Sequence, residues 1–250
     1  MLLAQKSGLA KSLQAATIAA TLLVVPVALK AAESKFLPEG SVNAVDLIPP
    51  APTLDSPEFQ TQMEIVEWAQ QTRTDDDVAF VEQTLNVDRF WPIIGADLFS
   101  VDARGLKDVI DQSIDEVRAD YDALKSVYDL PRPFQVNEVI DPVGDARPVA
   151  SYPSGHSIRA IVYARLLSEV FPQHEAELME LAHQVGYGRV MAGVHYPVDV
   201  VSGQALGHAY SDAILANSKF HDAVIRISTE QSVSNCCWPS QAEGTGGSDS

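Results

Sequence analysis

The chain has 250 residues, enough for one core, and its 46% hydrophobic and 20% charged composition is that of an ordinary globular protein. Its net charge is −17; residues 1–32 hold three lysines and no acid, so the remainder carries −20. That charge argues against nucleic acid and against an anionic membrane surface as partners, and it confines any anion site to a local cationic pocket.

Residues 1–32 read as a signal peptide. Lys6 and Lys11 precede an apolar run from Leu13 to Leu29, and Ala31 and Ala32 offer small residues for cleavage. The alternative is an uncleaved membrane anchor, against which Pro26 and the shortness of the run argue. No other stretch reaches transmembrane length, so the mature form is expected to be soluble, periplasmic or secreted, without a membrane partner. Residues 33–56 contain Pro38, Pro49, Pro50 and Pro52 and are expected to form an extended arm.

A helical domain is expected over residues 57–228. Ser56-Pro57-Glu58 predicts a cap and a helix to about Thr72, and Thr74 followed by three aspartates predicts a second helix to Thr84. Val87 to Phe99 is aromatic and irregular. Leu106, Val109, Ile110, Ile114, Val117, Tyr121, Leu124 and Tyr128 recur at helical spacing and predict a helix over Arg104 to Tyr128. Four prolines make Asp129 to Tyr152 a loop. Further helices are expected over Ser154 to Phe171, Glu175 to about Val194, Val198 to Ala216 and Phe220 to Ile227. Small residues in the third of these permit close helix packing. No alternating strand appears, and the predicted class is all-α, a single-domain helical bundle. Residues 229–250 read as a flexible tail. The adjacent Cys236 and Cys237 are poorly placed for a mutual disulfide.

Three pieces carry candidate chemistry. Lys125 stands at a helix end, with six residues between it and Arg132-Pro133. Either cation alone reads as a solvated charge; together they can neutralise an oxyanion, the guanidinium by a planar fork. Pro153-Ser154-Gly155-His156 marks a loop becoming a helix, where free amides and the dipole favour an anion and Gly155 permits close backbone approach. Ser154 can cap the helix or donate to an oxyanion, and His156 can act as an acid. Arg189, His195 and Asp199 follow, with five residues between the first two and three between the last two. Asp199 either caps a helix beside a structural histidine or orients His195 as a nucleophile. A metal site built from His156, His183, His195 and Asp199 lacks a recognisable ligand spacing. No Gly-x-Ser-x-Gly elbow and no P-loop are present.

Order and spacing join the three pieces. The set resembles the signature of the type 2 phosphatidic acid phosphatase superfamily, and the chain is similar within it to the bacterial class A non-specific acid phosphatases. Leu47-Ile48-Pro49-Pro50-Ala51-Pro52 resembles their Pro-rich start. The resemblance implies that His195 attacks phosphorus to form a phosphohistidine, Asp199 orients it, and His156 protonates the leaving group. Lys125, Arg132, Ser154, Gly155 and Arg189 would hold the phosphoryl oxygens. It implies a small-molecule phosphomonoester as substrate, and neither metal nor cofactor. One position departs from the family: Gly188 stands where a serine usually precedes the arginine.

Two other readings use the same residues. In a vanadium-dependent haloperoxidase, a family sharing the signature, His195 would bind vanadate as cofactor. A secreted phosphate-binding protein would need neither imidazole nor the carboxylate. A lipid phosphatase would call for spanning helices. A homo-oligomer is compatible with the sequence.

Overall fold

A computed structural model describes residues 35–144 and 146–236. The signal-peptide reading and Cys237 lie outside them. The described residues form ten α-helices, with three 3₁₀ turns and no strand among them.

A one-turn helix α1 (Ala44–Leu47) interrupts the Pro-rich arm, which is therefore not extended throughout. The arm is also docked. Phe36, Leu37, Ala44 and Ile48 are buried, and the Glu116 carboxylate accepts the consecutive backbone N–H groups of Lys35, Phe36 and Leu37 at 2.9, 2.8 and 2.8 Å. Phe36 packs edge-on against Phe220, 5.9 Å between ring centres.

Helix α2 (Pro57–Thr72) starts as its residues dictate: the Ser56 hydroxyl accepts the Phe59 N–H, and Pro57 fills the first helical position. Its buried face is Phe59, Met63, Val66 and Ala69. Helix α3 (Asp75–Glu82) opens on a reciprocal Thr74–Asp77 capping box. The irregular segment after it holds one short helix, α4 (Trp91–Ile94), between 3₁₀ turns. Helix α5 (Ala103–Tyr128) buries Leu106, Ile110, Ile114, Val117 and Tyr121 and ends where Asp129 turns left-handed at φ 36°. The predicted loop after it contains one helical turn, α6 (Pro133–Val136), nucleated by Pro133 at its first position.

The remaining helices are α7 (Gly155–Val170), α8 (Glu175–Met191), α9 (Pro197–Leu215) and α10 (Ser218–Cys236). Helix α10 continues past Ile227, where the sequence predicted an end. Helix α8 stops three residues short of Val194, because Gly193 takes a left-handed turn at φ 69°.

Helix α7 is the centre of the packing. Ile158, Ala160, Ile161, Val162, Ala164, Leu166 and Leu167 are all fully buried, and α5, α8 and α9 each pack against it. Its closest backbone approach is to α9. A Cβ on Gly203 would lie 2.6 Å from the Ser154 carbonyl oxygen, and one on Gly207 would lie 2.7 Å from that of Ile158. These two glycines, one turn apart, let the helix backbones touch. The contact brings the start of α9 to the start of α7, where the Ser154 N–H donates to the Asp199 carbonyl at 3.0 Å.

Candidate active site

Five helix ends supply the site. Lys125 lies in the last turn of α5, Arg132 caps α6, Ser154 caps α7, Arg189 lies in the last turn of α8, and Asp199 lies in the first turn of α9. Helix ends are where side chains meet unpaired backbone groups and the dipole's partial charges, so the arrangement concentrates polar chemistry in an otherwise apolar bundle.

The segment between α6 and α7 aims the first two cations. Lys125 Nζ donates to the Ala150 carbonyl at 3.2 Å, and Arg132 Nε donates to the Val149 carbonyl at 3.0 Å. Arg132 Nη1 reaches the Val194 carbonyl at 3.3 Å, which ties the cation to the turn carrying His195. The Gln135 side chain accepts the Arg132 backbone N–H at 3.0 Å. Arg132 and Arg189 are 5% and 3% exposed.

At the start of α7 the Ser154 hydroxyl accepts both the backbone N–H and the hydroxyl of Ser157, at 3.3 and 3.0 Å. The cap is therefore made, which is the plainer of the two readings of Ser154. Gly155 is required by packing: a Cβ there would meet the Tyr121 hydroxyl at 2.9 Å. His156 follows, half-buried.

The turn after α8 sets His195. The Arg189 carbonyl accepts the N–H groups of both Val194 and His195, at 3.2 Å each. His195 Nδ1 lies 3.0 Å from Asp199 Oδ2, and both residues are buried. The same carboxylate oxygen accepts the Tyr196 N–H at 2.9 Å and the Ser151 hydroxyl. Asp199 is thus a helix cap and a histidine partner at once, so its two readings were not exclusive. With Nδ1–H given to Asp199, Nε2 of His195 keeps its lone pair.

The charges converge on the imidazoles. Burial holds His195 well below the ordinary histidine range, and Arg132, Lys125, Arg189 and His156 push it the same way. Burial does the same to His156, helped by Arg189, Arg159, Arg132 and Lys125. Lys125 is lowered to about 8 by burial and then by Arg132. Burial raises Asp199 to about 7, against the pull of Ser151, the Tyr196 N–H, Lys125 and Arg132. A dianion entering among these groups would relieve most of that repulsion.

All eight residues singled out in the sequence come to this place. Sequence reasoning missed Ser151, which touches both Asp199 and His195 (3.3 Å to Nδ1), and Arg159, whose charge is felt at His156. Nothing in spacing marks either one. The vacancy at Gly188 has a packing cause: a Cβ there would lie 2.9 Å from Val81 Cγ1, so α3 fills the space a serine side chain would need. Among the described residues, no group of three or more His, Cys, Asp or Glu side chains is placed to hold a metal ion, and no helix is long and apolar enough to cross a membrane.

Residues 117–219 match the model of the PAP2 superfamily. They form a PAP2 superfamily domain. The chain is homologous to a non-specific acid phosphatase of Salmonella typhi, 28% identical over 186 residues that cover 68% of this chain and 72% of the relative. A non-specific acid phosphatase of Salmonella typhimurium is 29% identical over 188 residues, with the same coverage of each chain. Among solved structures, a bacterial vanadium-dependent iodoperoxidase superposes with a TM-score of 0.52 at 16% identity, covering 71% of this chain and 53% of that one. That likeness is one of fold. The match to the PAP2 domain holds every candidate residue from Lys125 to Asp199.

Proposed function

We propose that the protein is a secreted or periplasmic acid phosphatase that hydrolyses small-molecule phosphomonoesters through a phosphohistidine. The observation that supports this most is the buried His195–Asp199 pair, set among the charges of Lys125, Arg132 and Arg189. A neutral imidazole with Nδ1–H fixed is a nucleophile, and fixed cations are what a transferring phosphoryl group needs.

In this reading Lys125, Arg132, Arg189 and the amides at the start of α7 hold the phosphoryl oxygens. His195 Nε2 attacks phosphorus as the ester P–O bond breaks. His156, made a stronger base by the bound dianion and so protonated, gives its proton to the leaving oxygen. Asp199 balances the positive charge that forms on His195. Water then attacks the phosphohistidine, His156 takes a proton from it, and inorganic phosphate leaves. The acidic body disfavours nucleic acid as partner. No step calls for a metal.

The homology to non-specific acid phosphatases supports the substrate class. The test is hydrolysis of an aryl phosphate from acidic to neutral pH with chelator present. Turnover that resists chelator and is blocked by vanadate, a phosphate analogue, is expected. Absence of hydrolysis, with halide oxidation once vanadate and peroxide are supplied, would overturn the reading in favour of a haloperoxidase.

A further inference from the structure

Arg159 is a cation that the proposed reaction does not use. It stands one turn after His156 on α7, and its Nε donates back to the Gly155 carbonyl at 3.2 Å. The side chain therefore runs toward the helix start, where Ser154, Gly155 and His156 meet. The guanidinium also lies beside the buried Tyr121 hydroxyl, the group that closes on Gly155. It is half-exposed, unlike Arg132 and Arg189, so it belongs to the rim of the site and not to its floor.

Its partners are neutral: the Gly155 carbonyl and the Tyr121 hydroxyl. Arg73, Lys107 and Arg165 each pair with an aspartate. Among the described residues no carboxylate lies within ion-pair distance of Arg159. Beside His156 and the start of α7, a half-exposed arginine with neutral partners can meet an anion that enters the site. The phosphoryl group already has Lys125, Arg132, Arg189 and the α7 amides. Arg159 lies on the side of His156, the residue that faces the leaving oxygen.

We propose that Arg159 is a leaving-group subsite, so that the protein prefers phosphomonoesters whose leaving group carries a second anionic group, a carboxylate or a further phosphate. The inference rests on the phosphatase reading above. The spacing suits an anion a few bonds from the ester oxygen, since one helical turn rises about 5 Å. The guanidinium fork would take such a group in a two-pronged hydrogen bond.

The test compares kcat/KM for 4-carboxyphenyl phosphate with that for 4-carbamoylphenyl phosphate, using the full chain and its Arg159→Gln and Arg159→Lys variants. Differences in leaving-group acidity cancel when the ratio is compared between proteins. The ratio of acid to amide is expected to fall about fivefold or more in Arg159→Gln and to be partly kept in Arg159→Lys. In the unmodified protein the same ratio is expected to fall as salt is raised, because a rim charge is screened. That arm holds even if Arg159→Gln does not fold. A ratio unchanged by the Gln substitution, or insensitive to salt, overturns the subsite while leaving the phosphatase reading intact. Failure to hydrolyse either ester overturns the phosphatase reading, and the subsite with it.

Discussion

The Ser151 hydroxyl donates to the same Asp199 oxygen that holds His195 Nδ1. Ser151 is fully buried, and its backbone N–H is fixed by the Leu130 carbonyl at 2.7 Å. In the phosphohistidine reading it acts through Asp199 as a positioning residue. Ser151→Ala removes a hydrogen bond to a charged group, an interaction of about 1.5–3 kcal/mol. Turnover is expected to drop about tenfold or more, with KM and inhibition by inorganic phosphate nearly unchanged. Steady-state kinetics on purified variant check this. A rise in KM at unchanged kcat would place Ser151 in substrate binding instead.

His156 is assigned to the leaving group, which makes its loss substrate-dependent. His156→Gln is expected to slow an alkyl phosphate by about 10² to 10⁴. A nitrophenyl phosphate, whose leaving group needs little protonation, should suffer far less. Equal losses with both esters would contradict the assignment.

Gly188 is fixed by α3. Gly188→Ser puts a side chain where Val81 Cγ1 already stands, and overpacking of this kind costs about 1–3 kcal/mol. Thermal unfolding should register the loss. Adding Val81→Ala should recover part of it, because the smaller side chain vacates the contested space; additive losses in the double variant would contradict the packing explanation.

The arm carries a pH signature. Burial pushes Glu116 up, and hydrogen bonds from Leu37, Lys35, Gln112 and Phe36 more than offset it, so the carboxyl titrates below its ordinary 4.5. A lowered folded-state value contributes stability that is present above that ordinary value and lost as pH falls through the lowered one. Glu116→Gln should therefore reduce Tm near neutral pH, by an amount that shrinks as the pH drops below about 4. Calorimetry at the two ends checks it, and an equal gap at both would contradict the assignment.

Much of this was legible in the sequence because the signals were local. Caps at Ser56 and Thr74 and the apolar stripe of α5 mark helices without outside help. The eight candidate residues were legible because their spacing is strict. What was not legible depends on contacts between distant segments. Ser151 matters only once α9 brings Asp199 to it, 48 positions along the chain. The docking of the arm was not legible because its partner, Glu116, is some 80 residues away. Short helices α1, α4 and α6 were missed because single turns next to prolines carry no periodicity.

The central claim is that His195 becomes covalently phosphorylated. Rapid acid-free quenching of the full chain during turnover of a phosphorus-labelled aryl phosphate tests it most directly. The account predicts label on the protein, stable in base and labile in acid, mapped by mass spectrometry to His195 and absent from His195→Ala. Turnover without label on His195, or hydrolysis that persists in His195→Ala, would contradict it.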